Sequence, residues 1–241
     1  LLARGELRAA RNALDAAGPV GQELRLPEAR WHCERHQAQS LLLEGRFSEA
    51  RSAFKILRAK SAQMGLGYGT SLINIVRGAL EWEQHGALAM RSHVEVWDNE
   101  AKLQCIPSVV AYAARLAAEA DVRDVAERSF SKLAGRDFAD VPKEHSYLLT
   151  LSNAALVAIA LGDRARADIL YELLAPYPEH NTPDLLLLQH GSVSRYLALL
   201  AGATGRNDRV ANHFEAALAM NARLPHLPQV ARTQYEYARW L

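Results

Sequence analysis

Ala38-Gln39-Ser40-Leu41-Leu42-Leu43-Glu44-Gly45-Arg46-Phe47-Ser48-Glu49-Ala50-Arg51-Ser52-Ala53-Phe54-Lys55-Ile56-Leu57 reads as the end of one helix, a glycine turn and the start of a second helix. Ala50, Phe54 and Leu57 stand five, nine and twelve residues past Gly45, a spacing that places them on one helix face. Ala38, seven before the glycine, is small enough to let the first helix approach the second closely. Gly45 itself supplies the left-handed backbone that ends a helix at little cost.

The same arrangement recurs along the chain. With Gly5, Gly45, His85, Asp121, Gly162 and Gly205 as turn positions, the spacings are 40, 40, 36, 41 and 43 residues. Five residues past each turn stand Ala10, Ala50, Met90, Ala126, Ala167 and Val210; nine past stand Leu14, Phe54, Val94, Phe130, Tyr171 and Phe214. Twelve past stand Ala17, Leu57, Trp97, Leu133, Leu174 and Ala217, and seven before stand Ala38, Gly78, Ala114, Ala155 and Ala198. Every column is apolar or small. No single helix pair buries its apolar face alone, so the pairs must stack into a solenoid. The spacing predicts a leading helix over 5–17, a loop at Gly18-Pro19-Val20-Gly21, and helix pairs over 28–63, 69–100, 107–134, 143–176 and 187–223. A last helix, 229–241, has no partner. The whole chain, 1–241, is read as one solenoid.

These columns resemble the tetratricopeptide repeat, whose usual period is about 34 residues. The longer period here is similar to that of the superhelical domain of the maltose-regulon activator and other large LuxR-type regulators. Leu170-Tyr171-Glu172-Leu173-Leu174-Ala175-Pro176-Tyr177, Gly191-Ser192-Val193-Ser194-Arg195-Tyr196-Leu197 and His213-Phe214-Glu215-Ala216-Ala217-Leu218 further resemble multidomain bacterial signalling ATPases. In those proteins the repeats accompany a nucleotide-binding module and a LuxR-type DNA-binding or cyclase domain. The resemblance implies an all-α, right-handed α-α superhelix of about five complete pairs with partial terminal ones. It also implies a segment of a larger cytoplasmic signalling or transcriptional regulator.

Composition agrees with helices. There are 42 Ala and 36 Leu against 24 β-branched residues, which nearly excludes an extended sheet. A net charge of +1 argues against direct nucleic-acid binding. Two cysteines form no disulfide framework and fit a reducing cytoplasm. The longest mostly apolar stretch, Leu148 to Leu161, is interrupted by Thr150, Ser152 and Asn153 and is too short to span a bilayer, so no membrane partner is expected. The chain opens at Leu1 without an export signal, and we read it as a fragment of a larger protein. The 229–241 helix turns Val230, Tyr235, Tyr237, Ala238, Trp240 and Leu241 toward a missing neighbour or toward a second copy in a homodimer.

No phosphate loop or nucleophile elbow is present, and no enzyme activity or cofactor is expected of this chain. Gly65-Leu66-Gly67-Tyr68-Gly69 lacks the lysine of a phosphate cradle and reads as a flexible inter-repeat loop. His32-Cys33-Glu34-Arg35-His36 puts two histidines at i,i+4, but two ligands do not make a zinc site, and it reads as a helix surface with Cys33 packed inward. Cys105 reads as a structural thiol in a loop. The paired carboxylates Asp121 and Asp124 read as helix caps.

In the resembling repeats the concave wall comes from positions thirteen, ten, six, three and two before the turn. Carried onto this chain, they are His32, Arg35, Gln39, Leu42 and Leu43; Leu72, Ile75, Ala79, Trp82 and Glu83; and Ser108, Ala111, Arg115, Ala118 and Glu119. The last two sets are Leu149, Ser152, Leu156, Ile159 and Ala160, then Ser192, Arg195, Leu199, Gly202 and Ala203. Of these, His32, Arg35, Gln39, Trp82, Arg115 and Arg195 are the candidate groove residues. Arginines on an apolar wall suit a peptide or protein, or a small molecule carrying a carboxylate or phosphate. The same arginines would equally serve to solvate a helix face or pair with nearby glutamates. A sensor or scaffold segment and a stand-alone tetratricopeptide adaptor without a small-molecule switch are the two functional readings.

Overall fold

A computed structural model of the chain describes residues 1–183 and 189–241. Among the described residues it is all-α, with twelve α-helices and one short antiparallel ribbon. The helices are α1 (Leu7–Glu23), α2 (Pro27–Leu43), α3 (Phe47–Gln63), α4 (Gly67–His85), α5 (Val94–Gln104) and α6 (Pro107–Glu119). They continue with α7 (Arg123–Leu133), α8 (Tyr147–Leu161), α9 (Arg164–Leu174), α10 (Val193–Thr204), α11 (Asn207–Arg223) and α12 (Leu227–Trp240). Two 3-10 turns, Leu2–Arg4 and Ala87–His93, precede α1 and α5. Strands β1 (Asn181–Pro183) and β2 (Gln189–Ser192) pair between α9 and α10. No helix among the described residues is long and apolar enough to cross a membrane.

The repeat columns form the core. All six residues five past the turns are buried, as are Phe54, Val94, Phe130, Tyr171 and Phe214 nine past them. The leading helix departs most, with Leu14 half-buried and Ala17 exposed, and Trp97 and Gly78 are half-buried. Ala114, Ala155 and Ala198 are fully enclosed, and there α6 packs on α8 and α8 on α10. Leu170 and Leu174 of α9 complete the packing around this seam. At the turns, Gly45 and Gly162 both sit at φ 72, and Asp121 reaches φ 58 without being glycine. The third turn falls one residue later than its spacing suggests. His85 ends α4, and Gly86 at φ 77 makes the turn.

Prolines and polar caps set several boundaries. Pro27, Pro107 and Pro228 stand in the first turns of α2, α6 and α12, where the missing N–H has no helical partner to lose. Asp163 caps α9 by accepting from Arg166 N at 3.0 Å, and Ser192 caps α10 by accepting from Ser194 N at 3.1 Å.

The structure corrects the map in three places. Gly18-Pro19-Val20-Gly21 is not a loop, because α1 runs through it to Glu23. Gly21 is a site of close approach, where a Cβ would lie 2.9 Å from that of Ala29 on α2. The Gly65–Gly69 segment is likewise shorter as a loop than its glycines suggest. Helix α4 begins at Gly67, and Gly69 is buried against Ser61 and Trp31. The expected start of the last pair, 187, lies outside the described residues. Helix α10 starts at Val193, and the residues before it belong to β2.

Contacts run mainly between neighbours in sequence, but the two ends also meet. The Leu2–Arg4 turn packs on β1, and Gly5 lies against Met220 of α11. Arg232 of α12 donates to Glu83 of α4 at 2.8 Å across 149 residues. Ribbon strand β1 also touches α8, and β2 touches α11. The ribbon therefore stands beside α8, α10 and α11.

Candidate functional site

Three of the six candidate residues come together. Arg115 on α6 lies with its guanidinium 4.5 Å from the centre of the Trp82 ring of α4. Its Nε donates to Glu119 Oε1 at 2.6 Å, one turn on, and its Nη1 donates to Asn153 Oδ1 of α8 at 3.2 Å. Arg195 on α10 donates from Nε to Glu236 Oε2 of α12 at 2.7 Å and from Nη2 to the other carboxylate oxygen. This is the two-pronged geometry that makes arginine–carboxylate pairs strong. Arg195 also rests on the Tyr196 ring at 5.0 Å, and the Tyr196 hydroxyl donates to the His190 carbonyl at 2.8 Å.

Both arginines are buried, at 4% and 2% exposure. Burial works against their charge, yet the pairing with Glu119 holds Arg115 more firmly protonated than an ordinary arginine. Arg195 is raised in the same way by Tyr196 and Glu236. The His190 imidazole behaves oppositely. Burial first, then the positive charges of Arg115, His226, Arg232 and Arg195, push it down to about 3, so it is neutral at any physiological pH.

The other three candidates stand apart on α2. Arg35 is buried and its Nη2 meets His36 Nε2 at 2.9 Å, while His36 Nδ1 meets Gln39 Oε1 at 3.1 Å. Burial and the neighbouring Arg35 charge lower His36. His32 is half-exposed, 3.8 Å from Glu28, and its ring packs edge-on against Trp31. His36 also edges a cleft of about 320 Å³ between α1 and α2, with Cys33 and Arg46 on its walls. Cys33 is partly buried, its thiol facing the Leu14 carbonyl, whereas Cys105 is exposed at the end of α5 with φ 54. Leu42 and Leu43 are core residues. The side chains of Leu72, Ile75 and Ala79 lie outside the described residues. No group of three or more metal-ligating side chains occurs among the described residues.

The arginines' acid partners decide what the site is. Both centre arginines are members of ion pairs, so the reading in which they neutralise glutamates is what the free chain adopts. Truncating Arg195 would strip Glu236 of its partner as well as remove a groove contact. Asn153, His190, Arg232 and Glu236 belong to the same centre and were not singled out from the sequence. Asn153 was the legible one, since with Thr150 and Ser152 it interrupts the apolar run from Leu148 to Leu161. The chain matches no protein-family model, no curated protein and no solved structure.

Proposed function

We propose that this chain is a non-catalytic, ligand- or protein-binding sensor or scaffold segment of a bacterial cytoplasmic signalling or transcriptional regulator. In this reading its helix pairs form a right-handed superhelix of tetratricopeptide-like repeats. The resemblance of its turn, small and aromatic columns to the long-period repeats of LuxR-type regulators supports the family reading. The polar centre supports the binding reading. Trp82, Arg115 and Arg195, drawn from the first helices of three different pairs, converge with α12 and the β1–β2 ribbon at one place. An occupant there would touch α4, α6, α10 and α12 at once. It would favour one arrangement of the repeats over another to the extent that it binds the two differently.

The test is a thermal-shift screen of the chain against metabolites and short peptides, with Arg195→Lys alongside. Lysine keeps a charge for Glu236 but loses the planar fork. A small molecule that raises the melting temperature of the natural protein, and less that of the variant, is the expected result. Stabilisation by peptides alone would move the chain to the adaptor reading. No stabilisation by either class would overturn binding at this centre.

A further inference from the structure

The centre holds two N–H donors that nothing among the described residues accepts. Arg195 Nη1 is buried without a partner among the described residues, while its Nε and Nη2 are both committed to Glu236. Asn153 Nδ2 is likewise buried without a partner. Its orientation is fixed, since the amide oxygen must face Arg115 to accept from Nη1. Arg115 links the two, bonded to Asn153 and close enough to Arg195 for their charges to oppose one another. A buried donor left unsatisfied costs more than a typical hydrogen bond contributes, so two in one centre call for an acceptor.

The charges around them are arranged with a direction. The side chains of Arg115 and Arg195 are 5% and 3% exposed, while those of their partners Glu119 and Glu236 are 31% and 20% exposed. Each ion pair thus turns its carboxylate toward solvent and its guanidinium inward. His190 registers the result, since the charges that act on it most are all cations. The inner ends of the pairs are electropositive, although the pairs themselves are neutral.

We propose that the centre bounded by Arg115, Asn153 and Arg195 binds a small molecule through an oxyanion group, a carboxylate or a phosphate, accepted by Arg195 Nη1 and Asn153 Nδ2. This rests on reading the centre as a ligand site. The two glutamates act as positioning residues, holding each guanidinium so that its remaining N–H groups face inward. Enclosure restricts the ligand to a small one, because neither donor is at the surface.

The test uses sodium phosphate and sodium succinate as probes, with sodium chloride at equal ionic strength as reference, in thermal-shift and calorimetric titrations. Asn153→Asp is the decisive variant. It keeps an acceptor for Arg115 and replaces the free donor with a second carboxylate oxygen, which repels an anion. Phosphate or succinate should raise the melting temperature of the natural protein saturably above chloride. Asn153→Asp should bind at least roughly ten-fold more weakly, the scale of losing one hydrogen bond to a charged group. Should that variant not fold, Arg195→Lys should weaken binding in the same direction. Preference between the two probes assigns the headgroup. Equal stabilisation of natural protein and Asn153→Asp, or none beyond chloride, would overturn the oxyanion site. A neutral metabolite or a peptide that stabilises both proteins while the anions do not would overturn this inference and leave the broader reading standing. Failure of every class would remove both.

Discussion

The region from α5 to α11 and the region from α2 to α4 are built on the same columns but pack differently. The first shares one continuous core, in which α8 is buried on nearly all sides between α6, α9 and α10. Alanine recurs throughout it, with Ala114, Ala154, Ala155, Ala158, Ala198 and Ala201 all enclosed. Small residues bring helix axes close, so each helix there meets neighbours on two layers rather than one. The second region has a smaller core around Trp31, Phe54 and Ile73. Between them lies a bridging cluster of Trp82, Met90, Val94 and Leu116. The number of layers a repeat touches, more than its own sequence, sets how much apolar surface it buries.

The largest effect expected of any single change follows from this. Phe54 and Phe130 occupy the same column and are both buried. Replacing either by alanine should cost about 3–5 kcal/mol. The consequences should differ in extent, because repeat arrays transmit stability only through neighbouring interfaces. In hydrogen exchange, Phe54→Ala should release protection over α1–α4 and leave α8–α11 protected, whereas Phe130→Ala should lower protection across α5–α11. If Phe54→Ala loosens α8–α11 equally, the two regions are one cooperative unit, joined by contacts such as Arg232 with Glu83.

A smaller break is available at the start of α4. A Cβ on Gly69 would lie 3.1 Å from the Trp31 ring and collide with Ser61 Oγ, which donates to the Leu66 carbonyl at 2.7 Å. Gly69→Ala should therefore destabilise by about 1–3 kcal/mol in chemical denaturation, the range for overpacking. An unchanged midpoint would show that the Trp31 core yields more readily than its closure suggests.

What could be read from the chain alone divides along the same lines. The columns were legible because turn residues, small residues and aromatics recur at fixed offsets, and a helix converts offsets into faces. The ribbon was not. Apolar Leu185 to Leu188 suggest a helix start, and they lie outside the described residues. What fixes β2 is tertiary: Ser192 N donates to Asn221 Oδ1 at 3.1 Å, and Gly191, at φ 88, leaves room for Gln229. Pro19 misled in the other direction. It reads as a helix breaker, yet α1 continues through it because the turn is exposed and nothing presses on Gly18. At the site, Arg115, Arg195 and Trp82 were legible from their offsets. Glu236 was not, since it reaches Arg195 from 41 residues away on a helix outside the column scheme.

The polar centre adds a pH dependence of its own, centred on His190. The unfolded chain protonates His190 near its ordinary 6.5, but the folded chain does so only near 3. Between those values the unfolded state binds more protons, so this residue's contribution to stability is complete above 6.5 and falls as the pH falls. His32, His36 and His213 are lowered too, each first by burial, and act in the same direction. The melting temperature should therefore decline from neutral pH toward about 5, and His190→Gln should make that decline shallower without abolishing it. An identical slope in the variant would mean that His190 takes up its proton at an ordinary pH and that the centre is less closed than its packing indicates.

The smallest expected effect tests the columns themselves. Gly78 occupies the position of Ala114, Ala155 and Ala198, yet a Cβ there would find only Met90 Cε at 3.7 Å, ordinary contact. Its backbone is helical, within α4, and needs no left-handed freedom. Alanine at this point removes unfolded-state entropy and adds a contact, so Gly78→Ala should stabilise by about 0.5–1 kcal/mol. The change would also bring the α4 repeat into register with its neighbours in composition. Gly69→Ala and Gly78→Ala, nine residues apart on one helix, are thus expected to shift the denaturation midpoint in opposite directions. If both destabilise, α4 meets the Ala87–His93 turn and α5 more tightly than the column rule allows, and glycine at 78 is a close-approach site like Gly21 rather than an interchangeable small residue.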